Sequence, residues 1–350
     1  MKKVKTIGII GRTSEKLCDG QTIKTRILIE ELRRYFPEHE ILIAETYNYK
    51  KHPLRLLKQI FACLREADFI FILLSRNGMR VIFPIVNFLN KFYHKPILHD
   101  CIGCSLDALV DQYKGLKRQL NCFDVNWVES RQVKKRLEEK DVQNVEFLPN
   151  FKRLNLIREE ELTPYDKEVF AFCTFSRVMP EKGISEAAQA ILNINREAGA
   201  TRVTLDVYGP FEDGYEAELQ KYIDISNGAI RYKGIIAYHE STEILKKYYM
   251  LLFPTYFMGE GIPGTLIDAL SAALPVIASN WHCNGEIIEH GKTGFLYELD
   301  QPWMLTDLIK AAIQDPDRIY QMKKQCLKEA QSYTAECVMP IICARIAQLV

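Results

Sequence analysis

Two carboxylates flank a glycine- and proline-rich turn in the stretch GEGIPGTLIDALSAALPVIAS, residues 259–279. Glu260 precedes the turn, and Asp268 lies inside the helical pattern that follows it. Apolar residues spaced three and four apart predict that one side of this helix packs on a sheet, with Asp268 on another side. Because helical side chains tilt toward the N-terminus, Asp268 is expected to reach a ligand at the helix start.

The start of this helix is expected to bind an anion, because the helix dipole favours negative charge there and the first amides lack helical partners. These amides belong to Gly264, Thr265 and Leu266. Gly261 and Gly264 let the backbone approach a ligand closely. A nucleotide-sugar fits this pattern, with sugar hydroxyls at Glu260, the diphosphate at the amides and ribose hydroxyls at Asp268. The alternative is a solvated loop acid and an acid on the helix surface.

Two cations follow another predicted strand, in the loop SRVMPEKG after residues 169–175. Arg177 provides a forked donor and Lys182 a mobile point charge. Together at a strand end they suit a diphosphate, in which each phosphate needs neutralising. The alternative is that both residues only keep the surface soluble.

The elements that must position these residues are alternating apolar strands and amphipathic helices. Strands are predicted at 4–11, 40–46, 68–75, 95–100, 123–129 and 145–149, and again at 169–175, 202–209, 229–234, 249–255, 274–279 and 293–298. Strands that are apolar throughout and separated by helices indicate parallel sheets covered on both faces. The sequence therefore predicts an α/β protein.

Two doubly wound domains account for the 350 residues. We predict domains at 1–150 and 169–334, joined by a polar linker at 151–168 and facing a central cleft. A C-terminal helix at 335–350, interrupted by Pro340, is expected to pack back on the first domain. Ligands of such sheets bind beyond the carboxyl ends of the strands.

The first domain offers fewer candidates. Its first loop lacks the G-x-G-x-x-G pattern, so a dinucleotide site is not supported. Gly20 opens a helix whose amides are expected to face the cleft. His99 and Asp100 end the fourth strand and are expected at the mouth of the cleft. The alternative is a helix cap and a hydrogen-bonded core histidine.

Charge is divided unevenly between the two halves of the chain. Residues 1–170 contain 30 Lys and Arg against 23 Asp and Glu, whereas residues 171–350 contain 16 against 22. A basic half favours an anionic partner such as a membrane surface or a phosphorylated acceptor. The stretch at 49–65 predicts a basic amphipathic helix suited to an anionic surface, although an ordinary surface helix is the alternative. Its residues are Lys50, Lys51, His52, Arg55 and Lys58 beside Leu54, Leu57, Ile60 and Phe61.

Cysteine usage and hydropathy favour a cytoplasmic protein. The ten cysteines are scattered, several within apolar strands, which is typical of reduced thiols. Cys101 and Cys104 form a C-x-x-C without a second pair, so a zinc or redox site is not predicted. No apolar run is long enough to span a bilayer. The basic start of the chain fits a first strand better than a secretory signal.

The motifs together resemble the retaining glycosyltransferases of family four, which have the GT-B fold of two Rossmann-like domains. The resemblance lies in FSRVMPEKG, YKGII, LLFPTYFMGEGIPGTLIDALSAALPVIAS and NGEIIEHGKTGFLYE, and more weakly in DGQTIKT and ILHDCIGCSL. It is strongest to transferases of bacterial capsule and exopolysaccharide synthesis. It implies a first domain that binds the acceptor and a second that binds the donor.

The resemblance also implies roles for individual residues. Arg177 and Lys182 grip the donor diphosphate, Glu260 contacts the donor sugar, and Asp268 stands where the family usually has a ribose-binding Glu. Backbone at Ile235 lies near the nucleobase, and Gly20 lets the first loop approach the donor phosphate. Either His99 or Asp100 faces the acceptor. No metal or cofactor is implied, and there is no Asp-x-Asp motif.

The predicted activity is transfer of a sugar, with retention, from a nucleoside-diphosphate sugar to a hydroxyl acceptor. UDP is the default nucleotide, and a lipid-linked glycan at the inner face of the cytoplasmic membrane is the expected acceptor. Cations and helix amides aimed at the leaving diphosphate would stabilise the transition state electrostatically. The alternatives are a nucleotide-sugar epimerase or hydrolase on the same fold, and an inactive partner subunit. No nucleic-acid partner is expected.

Overall fold

A computed structural model describes residues 5–14, 20–103, 105–212, 214–237 and 240–349. The chain divides into two compact units. The first comprises residues 1–153 and 334–350, and the second residues 154–333. Cys104 of the C-x-x-C lies outside the described residues.

Each unit contains one six-stranded parallel sheet, and the strands form where the apolar runs predicted them. The strands are β1 (Lys5–Gly11), β2 (His39–Glu45), β3 (Phe69–Ile72), β4 (Ile97–Asp100), β5 (Val125–Val128), β6 (Val145–Phe147), β7 (Phe170–Phe175), β8 (Val203–Tyr208), β9 (Ile230–Gly234), β10 (Met250–Phe253), β11 (Val276–Ser279) and β12 (Gly294–Tyr297). The strand orders are β2-β1-β3-β4-β5-β6 and β12-β11-β10-β7-β8-β9. The predicted α/β class with two doubly wound sheets is confirmed.

Helices connect the strands, as parallel pairing requires. They are α1 (Gly20–Tyr35), α2 (Pro53–Glu66), α3 (Arg76–Tyr93), α4 (Leu106–Gln112), α5 (Leu116–Leu120), α6 (Arg131–Glu139), α7 (Ile184–Ala198), α8 (Glu216–Ile225), α9 (Ser241–Leu245), α10 (Gly264–Ser271), α11 (Asn284–Ile287), α12 (Trp303–Gln314), α13 (Pro316–Ala330) and α14 (Ala335–Leu349). Within the described ranges, none of these helices has the length and hydropathy to cross a membrane.

The C-terminal helix α14 packs on the sheet of the first unit. Val338, Met339 and Ile342 belong to the same buried cluster as Phe71 and Trp127. The predicted interruption at Pro340 is wrong, because α14 runs through it. Proline removes one backbone donor from the helix, and packing of the neighbouring apolar residues on the sheet opposes that cost.

The segment predicted as a linker is partly absorbed into the two units. Phe151 lies in the core of the first unit, and Lys152 forms a parallel bridge with Thr334. Further along, Leu162 packs with Ala273 and Leu327 in the second unit. Apolar side chains therefore anchor a stretch whose polar composition indicated none.

Candidate functional site

The loop after β7 holds Lys182 in place through a close backbone approach. A 3-10 turn at Pro180–Lys182 leads into α7, and Gly183 between them has a φ of +69°. A Cβ at this glycine would lie 2.2 Å from the carbonyl oxygen of Pro254, which follows β10. Only glycine allows this packing, which brings Lys182 to the loop after β10.

Lys182 and Glu260, 78 residues apart in sequence, form a buried ion pair. The Lys182 ammonium contacts Oε2 of Glu260, and their side chains are 8% and 10% exposed. The Thr255 hydroxyl donates to the same carboxylate oxygen at 3.0 Å. Burial contradicts the alternatives of a solvated loop acid and a surface lysine.

The two predicted phosphate-binding cations lie beside the same aromatic ring. Arg177 Cζ lies 5.0 Å and Lys182 Nζ 5.1 Å from the centroid of the Phe257 ring. Both distances suit cation–π attraction. Sequence reasoning missed Phe257, and its only signal was an aromatic residue three positions before Glu260.

The start of α10 is tied to the end of β7. Thr265 Oγ1 donates to the carbonyl oxygen of Phe175 at 2.7 Å, which brings the helix start beside the loop of Arg177. Pro263, the N-cap residue, offers no side-chain hydrogen bond to the first turn. The amide of Leu266 differs from expectation, because it donates to the Pro263 carbonyl at 3.0 Å. The anion-binding roles of the Gly264 and Thr265 amides stay predictions.

Asp268 is not a surface residue, because all residues of α10 from Leu266 to Ser271 are buried. Asp268 itself is 7% exposed and lies in α10, eight residues after Glu260 in the loop. Its carbonyl oxygen accepts the Ser271 hydroxyl at 2.7 Å, and Ser271 in turn contacts Thr242 at 3.1 Å. Gly261 and Gly264 do not have a positive φ, and the close approach of a ligand to them stays a prediction.

Ile235 follows the end of β9 and leaves its side chain 70% exposed. The preceding residue, Gly234, accepts the amide of Gly209 at 2.9 Å, which joins the loops after β8 and β9. Gly209 has a φ of +131°, and a Cβ there would lie 1.7 Å from the Ser176 carbonyl oxygen. The loops after β7, β8 and β9 thus meet at one edge of the second sheet.

The first-unit candidate His99 lies in the interior, not at an opening. Its ring packs edge-on against Phe83, with 5.0 Å between centroids, and its Nδ1 lies 3.0 Å from the Asn126 side-chain oxygen. Burial lowers the pKa of His99 to about 4. The alternative of a hydrogen-bonded core histidine therefore describes it better than an acceptor-facing role.

Asp100 is also buried, in a cluster that sequence reasoning missed. Lys24 Nζ lies 2.6 Å from Asp100 Oδ1 and 2.6 Å from Glu129 Oε1. Burial raises the pKa of both carboxyl groups, and the charge of Lys24 opposes that rise. The only sequence signal for this cluster was that its charged residues lie near the ends of strands or the start of a helix. Gly20 begins the same helix as Lys24, and among the described residues no atom outside that helix lies within 4 Å of a Cβ position there.

The predicted amphipathic helix forms as α2, which begins at Pro53, so Lys50, Lys51 and His52 precede it. Leu56, Ile60 and Leu64 are buried, so the predicted placement of Ile60 on the anionic surface is wrong. Leu54, Leu57 and Phe61 remain exposed. Among the described residues, no group of His, Cys, Asp and Glu could hold a metal ion.

Comparison with known proteins supports a glycosyltransferase. Residues 169–315 match the family model described as Glycosyl transferases group 1. None of the curated proteins compared with the chain matches it.

Several solved structures share the whole fold. HepE of Anabaena, solved with UDP, is 14% identical and has a TM-score of 0.77 over 99% of this chain and 100% of that one. Sucrose-phosphate synthase of Thermosynechococcus elongatus is 16% identical, with a TM-score of 0.75 over 99% of each chain. The lipopolysaccharide outer core galactosyltransferase WaaB is 13% identical, with a TM-score of 0.69 over 99% and 100%.

The fold is therefore that of the GT-B glycosyltransferases. The second unit carries the sequence pattern of glycosyl transferases group 1. The predicted resemblance and the expected class of enzyme, a glycosyltransferase, are confirmed at this level.

Proposed function

We propose that this protein is a retaining hexosyltransferase that moves a sugar from a UDP-sugar to a hydroxyl acceptor. The observation that carries the proposal is the buried Lys182–Glu260 pair beside Arg177 and Phe257, at the strand ends of the second unit. Complexes of HepE with UDP and with UDP-glucose support the choice of nucleotide.

In this proposal the second unit binds the donor. Arg177, Lys182 and the start of α10 stabilise negative charge on the leaving diphosphate. An ammonium has three donors, so Lys182 keeps hydrogen-bonding capacity for a phosphate oxygen while paired with Glu260. Glu260 accepts sugar hydroxyls, Asp268 accepts ribose hydroxyls, and backbone at Ile235 lies beside the base.

The transfer step needs no side-chain nucleophile. The acceptor oxygen bonds to the anomeric carbon as the bond to the diphosphate oxygen breaks. The leaving phosphate oxygen takes the proton of the acceptor, on the same face of the sugar, which retains the anomeric configuration. The protein's contribution is to hold charge and orientation, with no metal required.

We further propose that the acceptor is a lipid-linked glycan of a capsule or exopolysaccharide, met at the inner face of the cytoplasmic membrane. The positive charge of residues 1–170 supports this, as does the name of WaaB, an enzyme of lipopolysaccharide core synthesis. The first unit would bind this acceptor.

A panel of nucleotide-sugars in a thermal-shift assay tests the donor, because a bound ligand raises the melting temperature. Transfer to lipid-linked saccharides, followed by NMR of the new linkage, tests acceptor and stereochemistry. Product analysis with donor alone separates an epimerase or hydrolase. Stabilisation by a donor without any turnover would favour an inactive partner subunit, and no stabilisation by any donor would refute the proposal.

A further inference from the structure

Two neighbouring helices of the first unit expose a row of large apolar side chains. On α2 these are Leu54, Leu57 and Phe61, spaced three and four residues apart on one side. On α3 they are Val81, Phe88 and Phe92, again on one side. We call these six residues the α2–α3 surface.

These six side chains have large exposed fractions, and they are not part of the core of the first unit. Leu54 is 80% exposed, Phe88 60% and Phe92 70%. Each helix already buries a separate apolar side, which on α3 includes Ile82 and Phe83. Burying the outer rows therefore requires something beyond the first unit's own core.

Aromatic contacts lie within and between the two helices. The Phe61 and Tyr93 rings meet edge-on with 5.7 Å between centroids, which links α2 to the end of α3. The Phe88 and Phe92 rings lie 5.9 Å apart. The two helices are therefore packed side by side next to their exposed apolar rows, in contrast to scattered apolar residues on an ordinary protein exterior.

The segment that carries this surface has a positive net charge. Residues 48–96 contain nine Lys and Arg against two Asp and Glu, an excess of seven that equals the whole excess of residues 1–170. Lys58 and Lys91 are exposed on the same sides of α2 and α3 as the apolar rows. Of the two carboxylates, Glu66 pairs with Arg65, and Asp68 accepts the amide of Thr6 at 2.8 Å.

We propose that the α2–α3 surface docks on an anionic lipid bilayer, with Phe88 and Phe92 entering the interface and the flanking cations contacting lipid headgroups. Apolar and aromatic rows edged by Lys and Arg suit the boundary between headgroups and acyl chains. A second copy fits less well, because a symmetric dimer would bring two surfaces of the same positive charge together. The inference deepens the proposed function by naming the surface at which a lipid-linked acceptor is met.

Flotation of the full chain tests this with vesicles of phosphatidylglycerol and phosphatidylcholine in equal parts, against phosphatidylcholine alone. Neither donor nor acceptor is present, so a failure here leaves donor binding by the second unit unaffected. We expect the wild type to float with the anionic vesicles only. Combining Phe88→Ser with Phe92→Ser should lower partitioning at least tenfold, since burying one Phe is worth about 1.5–3 kcal/mol and tenfold is about 1.4 kcal/mol.

Combining Lys58→Gln with Lys91→Gln should lower partitioning about fivefold for each cation, from about 1 kcal/mol per charge near an anionic surface. The matched controls are Trp303→Ser, at a residue 60% exposed in the second unit, and Lys135→Gln on α6. Both should float as the wild type does. If the Phe88→Ser, Phe92→Ser variant does not fold, flotation of the Lys58→Gln, Lys91→Gln variant tests the inference.

Three results would overturn the inference. They are wild-type flotation that is no greater with anionic than with neutral vesicles, variants that float like the wild type, and self-association that disappears in the aromatic variant without any flotation. The last result, measured by sedimentation velocity, would assign the surface to a second copy of this chain.

Discussion

Replacing Lys182 by Met tests whether the buried pair with Glu260 belongs to a working site. The substitution keeps most of the side-chain volume and removes the charge, leaving the carboxylate of Glu260 in a position only 10% exposed. Removing one partner of a buried ion pair costs about 3–5 kcal/mol, because the other charge is then uncompensated. Thr255 still donates to that carboxylate at 3.0 Å, so we expect a loss of about 3 kcal/mol in unfolding free energy.

The same substitution removes a cation from the proposed position of the leaving diphosphate. Losing one preorganised group that stabilises transition-state charge costs about 10²–10³ in rate, so donor turnover should fall at least about hundredfold. Combining Lys182→Met with Glu260→Gln removes both charges. Stability should then return close to that of the wild type, while turnover stays low. This separation of stability from activity distinguishes a site residue from a structural ion pair.

Urea unfolding followed by circular dichroism measures the stability, and sugar release or transfer from UDP-glucose measures turnover. The control is Lys310→Met, whose partner Glu197 lies with it on the surface, at 33% and 60% side-chain exposure. It should cost under about 1 kcal/mol and leave turnover unchanged. If Lys182→Met unfolds as easily as this control or turns over donor at the wild-type rate, the reasoning is refuted.

Three further outcomes follow from single positions. Asp268→Asn should weaken UDP-sugar binding in the thermal-shift assay, because a neutral amide accepts ribose hydroxyls less strongly than a carboxylate; unchanged binding would remove Asp268 from the site. Gly183→Ala should lower the free energy of urea unfolding by much more than Gly199→Ala does. The two glycines have similar φ values, +69° and +63°, but of the two only Gly183 has a carbonyl oxygen 2.2 Å from its Cβ position. Equal losses of stability would contradict the packing argument. Burial lowers the pKa of His99 from 6.5 to about 4. As the pH falls, His99 is therefore protonated in the unfolded chain before it is protonated in the folded protein. The free energy of unfolding should decrease by about 3 kcal/mol as the pH drops from 6.5 to 4. His99→Gln should abolish that contribution and exposed His290→Gln should not, and identical pH profiles for both would show the assignment to be wrong.

Local pattern predicted most of the architecture for a physical reason. A strand of a parallel sheet is covered on both faces, so runs such as residues 68–75 and 249–255 are apolar throughout and stand out from amphipathic helices. The same argument failed for α14, where proline indicated a break. The sequence predicted that this helix packs on the first domain, but not that the packing of Val338 and Met339 would keep it continuous through Pro340.

The candidate donor residues could be named from types and spacing, but their relations could not. The charged side chains of Arg177, Lys182 and Glu260 are of types that are common in loops at strand ends. That Lys182 pairs with Glu260, 78 positions further along the chain, depends on two loops meeting at one sheet edge. Phe257 became a candidate only when both cations were found beside its ring.

In the first unit, burial changed the interpretation. His99 and Asp100 end a strand, and a strand end can lead either to solvent or to a closed interior. This strand end lies in the interior because His99 contacts the Phe83 ring of α3 and Asp100 contacts the Lys24 ammonium of α1. Both contacts involve residues distant in sequence.

By itself the sequence determined the succession of strands and helices, the division into two α/β units, and the residues with charge suited to a diphosphate, because these depend on local periodicity and residue type. Only the tertiary structure decided which of these residues meet. It also decided which side of α2 faces outward, since apolar residues occupy both sides of that helix and packing on the sheet selects Ile60 for the core and leaves Phe61 exposed. Contacts between distant residues depend on how sheets and helices close around one another, and no local pattern encodes that closure.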